Sequence, residues 1–596
     1  MRRTTVGSVV LLAAVLLLPA CRSAEERQAE FAAQAVAFLR AGLEEAEAPA
    51  DAAAGGPERQ RSWEVLTTFY EQRGYTPVWI DHEGPTEGAQ GLVDALGRVH
   101  ESGIDPRTYR AEELAAELAA LEEANGEEGY PRRAAALDTE LTYAFLVLAS
   151  HLGNGRIEPT GAGIEWHTEP RDLDLAAALA RAVDEGDPAA VLAELEPPHE
   201  GYRQLKQALG RYREIAAAGG WSQVPDGPPL TPGDRGQRVA LLRQRLAATG
   251  EIGAAGEGEA AVYDEAVEQA VRRFQVGLGL ETDGIAGPEV LGAANVPVEQ
   301  RIRDIVANLE RWRWLPADLG QRYVLVNVPR YEMSMVEGDR VVAQMKVVVG
   351  KEYDATPVFS DEMGYVVVNP TWNLPASIAR EEVLPHLASN PGYLAANNME
   401  LVNGWGDDAE VLDPWRVGPA VWSQAGDEGQ PIRLRQRPGG DNPLGDIKFM
   451  FPNEHNVYLH DTPADHLFAQ ADRNLSHGCI RLERPLELAT WVLGEDRAEI
   501  EALIASGETR EIPLPRKVPV HIQYWTAWVP EDGNLIFGDD LYGIDQRVAA
   551  AIGKEPLVRL GLELPAEVAV PEEDPEDVTG PADVEGAAPS EDPATS

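Results

Sequence analysis

Tyr323-Val324-Leu325-Val326-Asn327-Val328 marks the point where the chain changes its hydrophobic period. The run is dominated by β-branched residues and is stopped by Pro329, so it reads as a strand. Val341 to Val349, Tyr365 to Val368, Phe449 to Phe451, Val457-Tyr458-Leu459 and Val518 to Tyr524 have the same character. They place a β-rich domain over residues 320–515, with a C-terminal strand extension over 516–548. Between Pro375 and Ile432 the pattern loosens into helix, Gly and Trp-bearing loop, broken at Asn390-Pro391-Gly392, Asn403-Gly404 and Gly429. Residues 376–432 therefore read as an insertion over the strand domain.

Upstream the period is helical. Val65, Leu66, Phe69 and Tyr70 share a face, as do Leu92, Leu96 and Val99, and Leu141 to Leu152 is nearly all apolar. Residues 58–224 form a helical domain on this reading, closed by the break Pro225-Asp226-Gly227-Pro228-Pro229. A compact unit follows over 228–297. Val239, Leu242 and Leu246 make one stripe; Ala266, Val267, Ala270, Val271 and Phe274 make another, with Asp264 placed to cap its helix. Residues 21–57, rich in Ala, Glu and Gln, read as a tether, and the acidic, Pro-rich residues 549–596 as a disordered tail. The fold class is α+β, in several domains, as 596 residues exceed what one core serves.

A formal charge of −48 excludes nucleic acid as a partner, since phosphate binding needs clustered cations. Residues 1–20 carry Arg2-Arg3, an apolar run from Val6 to Leu18 and Pro19-Ala20, the layout of a signal peptide. Leu18-Pro19-Ala20-Cys21 resembles a bacterial lipoprotein box, with Cys21 lipidated and the membrane reached through that anchor. Arg22 after Cys21 points to the outer membrane of a Gram-negative bacterium, facing the periplasm. The chain has two cysteines, so a lipidated Cys21 leaves Cys479 without an intrachain partner in an oxidising compartment. Reactivity is the reason to retain such a thiol.

Ser476-His477-Gly478-Cys479-Ile480-Arg481 is the chemical segment. A thiol attacks an amide as the thiolate and needs a base beside it. His460, nineteen residues earlier and directly after Val457-Tyr458-Leu459, is one supplier. His477 is the other, on the face of Cys479 if the backbone is strand-like. The residues alone leave both open. Gly478 permits close approach of substrate, the amides of Gly478 and Cys479 suit an oxyanion, and Arg481 suits a carboxylate. His455, His460, His466 and His477 match no zinc-ligand spacing, and no HExxH occurs, so no metal or cofactor is called for.

The segment, together with Tyr458-Leu459-His460-Asp461-Thr462-Pro463, resembles the signature of the L,D-transpeptidase catalytic domain. Thr356-Pro357-Val358-Phe359-Ser360, Asn369-Pro370-Thr371-Trp372-Asn373-Leu374-Pro375 and Leu444-Gly445-Asp446-Ile447-Lys448-Phe449 resemble the large periplasmic branch of that family. The resemblance implies a scaffold domain at 58–224, a three-helix peptidoglycan-binding-like domain at 228–297, a β-rich sandwich as catalytic domain and a capping subdomain at 376–432. It further implies Cys479 as nucleophile, His460 as proton donor and acceptor oriented by a backbone carbonyl, and His477 and Gly478 on the oxyanion side. Arg481, Ser476, Tyr458 and Trp372 then contact substrate. The expected reaction joins a donor tetrapeptide stem of peptidoglycan to an acceptor stem in a 3→3 cross-link, with loss of D-Ala. An L,D-carboxypeptidase or wall-protein-releasing amidase with the same nucleophile is the alternative, and a non-catalytic wall-binding lipoprotein a third.

Overall fold

The computed structural model describes residues 23–44, 56–168, 170–253, 261–338, 340–390, 392–406, 409–530, 533 and 535–570. The expected signal peptide, Cys21 and the stretch 571–596 lie outside the described residues.

Helix Tyr130–Asn154 is the axis of the helical domain and is buried along most of its length. Helices Gly56–Gln72, Glu87–Arg98, Ala111–Glu123, Leu175–Glu185 and Pro188–Leu195 pack round it through Leu66, Tyr70, Leu92, Leu96, Leu114 and Leu179. Inside, the Asp138 carboxylate accepts the amides of Val78, Trp79 and Ile80 and the hydroxyl of Tyr70, which satisfies a charge that burial would otherwise forbid.

Two expectations for the chain ends need correction. Residues 24–44 of the presumed tether are helix Ala24–Glu44, and its Phe31, Ala35, Phe38 and Leu39, one face at 3.6-residue spacing, are buried against the axial helix. Of the presumed disordered tail, helix Ile544–Ile552 is formed and residues 553–570 are laid back along the helical domain. Val558, Leu560 and Leu564 are buried there; Arg59 donates to the carbonyls of Pro556 and Leu557, Arg132 to those of Leu564 and Pro565. An acidic composition hid a few apolar anchors.

The compact unit has helices Gln237–Ala248, Glu265–Leu278 and Pro288–Ala294 around Val239, Leu242, Leu246, Val267, Ala270 and Val271. Asp264 caps the second helix by accepting the amide of Val267 at 3.0 Å. Helix Val298–Arg313, beyond the expected boundary, runs from this unit to the strands.

The strands of the two larger sheets are β1 (Trp166–His167), β2 (Arg322–Asn327), β3 (Glu332–Glu337), β4 (Arg340–Gly350), β5 (Val358–Val368), β6 (Trp372–Asn373), β7 (Met399–Asn403), β8 (Glu410–Leu412), β9 (Ile432–Gln436), β10 (Ile447–Met450), β11 (Leu459–His460), β12 (Asn474–Ser476), β13 (Ile480–Leu482) and β14 (Arg510–Gln523), and Ala527–Trp528 pairs with Ile536–Phe537 in a third. The main sheet runs β5-β10-β11-β13-β4-β3-β2-β14, and β14 pairs with β5 again. The circuit is closed. Its two halves face each other as in the expected sandwich, but they join at both edges, and the start of β5, which β10 does not cover, is left to pair with β1. Alternation along β2 buries Val324 and Val326, which meet Met333, Val347, Val366, Phe449 and Val520 in one core. The expected strand extension is thus no appendage: β14 starts at Arg510 and lies in the centre of the sheet, against both β2 and β5.

Trp166 and His167, in the stretch read as helical, form β1 on β5, so the helical domain lends a strand to the sheet. The insertion is a small sheet in the order β6-β9-β7-β8 with short helices, its core formed by Leu374, Val383, Leu387, Leu401 and Leu434. It includes β6 and β9 and so exceeds 376–432 at both ends.

Candidate active site

Three neighbouring strands align five polar side chains on one face. His460 of β11 lies opposite Lys448 of β10 and Arg481 of β13, while Leu459 lies opposite Phe449 and Ile480. Phe449, Leu459 and Ile480 are buried in the core, so the alternate residues Lys448, Tyr458, His460, Cys479 and Arg481 face the other way. There Tyr458, His460, Cys479 and Arg481 border a cavity of about 170 Å³ lined also by Trp372, Pro375, Ile378, Glu382, Leu444, Ser476 and His477, with Lys448 beside it over the Tyr458 ring.

The loop into Cys479 is held in place. The Ser476 hydroxyl donates to the Cys479 carbonyl at 2.6 Å and accepts the Gly478 amide at 3.2 Å. Thr356 donates to the Gly478 carbonyl at 2.8 Å. Gly478 has φ +104, a conformation open to glycine and strained for other residues, so the strand expected through 477–479 is interrupted there. Its amide, expected to serve an oxyanion, is occupied by Ser476; the Cys479 amide is the remaining one of that pair. His477 lines the cavity too, and its Nε2 lies 3.4 Å from Glu382 of the insertion.

His460 is buried, and its Nδ1 meets the Asp461 carbonyl at 2.5 Å. A carbonyl only accepts, so Nδ1 carries the hydrogen and Nε2 keeps a lone pair. The Asp461 carboxylate accepts the amides of Asp446 and Thr462, both at 2.7 Å, fastening the loop before β10 to the turn after His460. Burial, together with the nearby Arg481 and Lys448 cations, pushes the His460 imidazole down to about 3.

The half-buried Cys479 thiol is pushed up by its burial, against the pull of Tyr458, Lys448 and Arg481. Sγ lies 3.8 Å from the Asn456 carbonyl, and burial, with the Cys479 thiol beside it, pushes the Tyr458 hydroxyl well up. Lys448 Nζ sits 3.7 Å above the Tyr458 ring. Burial lowers both Lys448 and Arg481, and Arg481 Nε has no hydrogen-bond partner. The resting pair is thus neutral thiol and neutral imidazole beside two desolvated cations.

That state predicts the pH dependence. The second-order rate of Cys479 acylation by a carbapenem, which reports the free protein, stays within twofold between pH 8 and 5.5. An ordinary histidine near 6.5 would cut the rate about tenfold by pH 5.5. Mass spectrometry of the acylated protein against time at each pH measures it.

Sequence reasoning gives Lys448 no role and misses Glu382 and Asn456. Alternation about the apolar Ile447 and Phe449 would put Lys448 on the His460 face; nothing local signals the other two.

Residues 321–522 match the family described as "L,D-transpeptidase catalytic domain". The chain carries an L,D-transpeptidase catalytic domain. Residues 235–293 match a "Putative peptidoglycan binding domain" and residues 64–209 a "Scaffold domain". A protein of Haemophilus influenzae described as "Putative L,D-transpeptidase" is 33% identical over 250 residues, covering 41% of this chain and 49% of that protein. The chain thus spans about half the length of this curated relative. Crystal structures of an L,D-transpeptidase from Xylanimonas cellulosilytica and of L,D-transpeptidase 1 from Mycobacterium tuberculosis are 16% and 10% identical. They cover 50% and 34% of this chain, and 99% and 61% of their own, with TM-scores of 0.15 and 0.13, too low for any structural inference. Both expected sides of the active site, nucleophile and base, fall within the transpeptidase domain.

Proposed function

We propose that the protein is a peptidoglycan L,D-transpeptidase with Cys479 as nucleophile and His460 as proton acceptor and donor. One observation carries this reading: a thiol, an imidazole with Nδ1 occupied and a guanidinium with an unpartnered Nε meet in one cavity. His460 Nε2 takes the thiol proton as Sγ bonds to the carbonyl carbon of the third stem residue, a diaminopimelate. The Cys479 amide faces the oxyanion. The bond to the terminal D-Ala breaks, and the leaving amine takes the proton from His460. The amine of a second stem's third residue then attacks the thioester and gives a proton to His460. Sγ departs and recovers that proton, leaving a 3→3 cross-link.

Arg481 explains how neutral partners start the reaction. A stem carboxylate seated on the Arg481 guanidinium cancels part of the field that keeps His460 from accepting a proton. Tyr458 and Trp372 border the same space, and Ser476 positions the loop. The site acts on wall stems in the cell envelope; anchoring of Cys21 in the outer membrane, facing the periplasm, completes the reading. Among the described residues no helix is long and apolar enough to cross a membrane.

Purified protein incubated with disaccharide-tetrapeptide tests the proposal by product mass. A dimer lacking one D-Ala supports it; a tripeptide alone assigns an L,D-carboxypeptidase, and unchanged substrate a wall-binding protein. Release of wall-linked protein in a parallel incubation would assign the amidase.

The insertion brings Ile378 and Glu382 to the cavity, and Glu382 reaches His477 from across it. By restricting water it favours an amine as acceptor. Glu382→Ala raises the ratio of hydrolysis to cross-linking roughly threefold, read from the same products. An unchanged ratio removes the insertion from acceptor choice.

A further inference from the structure

His167 and His455 lie far apart in the sequence and face each other in the fold. β1 holds His167 in register with Phe359 of β5. The loop between β10 and β11 carries Glu454 and His455, and the His455 ring packs on Phe359 with centroids 4.9 Å apart. The two imidazoles are themselves 4.2 Å apart between centroids. One ligand atom from each of His167, Glu454 and His455 falls within 4.8 Å of the others.

The loop is internally braced. Asn453 donates to the carbonyls of Phe451 and Val457 at 2.6 and 2.7 Å, and its Oδ1 accepts the Val457 amide at 3.1 Å. His455 and Glu454 are therefore presented from a fixed turn, and His167 from a sheet.

We propose that His167, Glu454 and His455 form a binding site for a divalent transition cation, zinc foremost, that fastens the helical domain to the active-site loop. Two imidazoles and a carboxylate suit zinc and its neighbours, whereas magnesium and calcium prefer oxygen donors throughout. Zinc bonds of about 2.0–2.2 Å ask the three donors to draw together slightly, which the solvent-facing Glu454 and His167 side chains permit. Water takes the remaining position. None of the three residues lines the cavity that holds Cys479. The site still bears on it: Asn456, next in sequence to His455 and held at φ +55, supplies the carbonyl facing Cys479 Sγ.

The full chain, without an affinity tag and stripped with EDTA, is titrated with zinc sulfate and with magnesium by calorimetry, and its thermal unfolding is followed in parallel. One equivalent of zinc binds, raises Tm, and is neither matched by magnesium nor lost in Cys479→Ala. His167→Ala and His455→Ala each weaken binding at least tenfold and lose the zinc-dependent rise in Tm. His167→Gln does the same should His455→Ala lower Tm in EDTA. Zinc binding that survives both histidine substitutions, disappears in Cys479→Ala, or is equalled by magnesium overturns the proposal. Failure of the acyl-transfer reading leaves this result untouched, because no readout depends on activity.

Discussion

Cys479→Ala abolishes carbapenem acylation and lowers cross-link formation by at least about 10³-fold, with unfolding close to that of the parent. The side chain removed is small and half-buried at the cavity. The bonds that shape its loop belong to the Ser476 hydroxyl, the Gly478 backbone and Thr356, none of which the substitution touches. His460→Ala costs nearly as much, because the lone pair set up by the Nδ1 contact with Asp461 is lost and the other imidazole of the cavity, His477, is engaged with Glu382. His477→Ala costs less than tenfold, since that ring is engaged with Glu382. Covalent adduct measured by intact mass against time separates the three. Normal acylation in His460→Ala alongside a lost signal in His477→Ala would reverse the two histidines' roles.

The second large effect lies far from the thiol. Glu310, in helix Val298–Arg313, is fully buried. Its carboxylate accepts the Arg156 amide, the Ile157 amide at 3.2 Å, Arg156 Nε at 3.1 Å and Arg313 Nη1 at 2.9 Å. Arg313 goes on to the Ser102 carbonyl and the Tyr202 hydroxyl. Glu310→Ala leaves the buried Arg313 without its carboxylate and Arg156 with Glu555 alone, 3.6 Å away, and removing one partner of such a cluster costs about 3–5 kcal/mol. Thermal unfolding should shift down by about 10 °C, and a shift under about 2 °C refutes the assignment. Burial works to raise the Glu310 carboxyl, but Arg156 and Arg313 outweigh it and hold it below the ordinary value. Its contribution to stability is therefore complete above the usual carboxylate range near about 4.3 and is lost as pH falls through the lowered value.

Legibility in the sequence followed local order. The stripes Val239, Leu242, Leu246 and the alternation in Tyr323 to Val328 state their own periods, and those elements formed as read. The Cys479 segment and His460 were legible because each is a short run of distinctive residues, and neighbouring strands β11 and β13 bring the two runs side by side. What escaped had its partner far away. Val558, Leu560 and Leu564 are sparse apolar residues in an acidic stretch, and only the helical domain gives them a place to be buried. β1 is two residues long, too short for any period, and exists because β5 offers an edge. Phe31, Ala35, Phe38 and Leu39 do share a helical face, but an Ala- and Glu-rich setting made the segment read as a linker.

The return of residues 553–570 to the helical domain sets an order on biogenesis. A chain made from its N-terminus first exposes the groove that receives Val558, Leu560 and Leu564 for as long as the remaining residues are still being synthesised. β5 likewise waits for β14 before the sheet circuit can close. The helical domain and the sheet circuit thus each wait for a segment made late, so residues 553–570 and β14 act as latches on elements made long before them, while the compact unit closes on its own core.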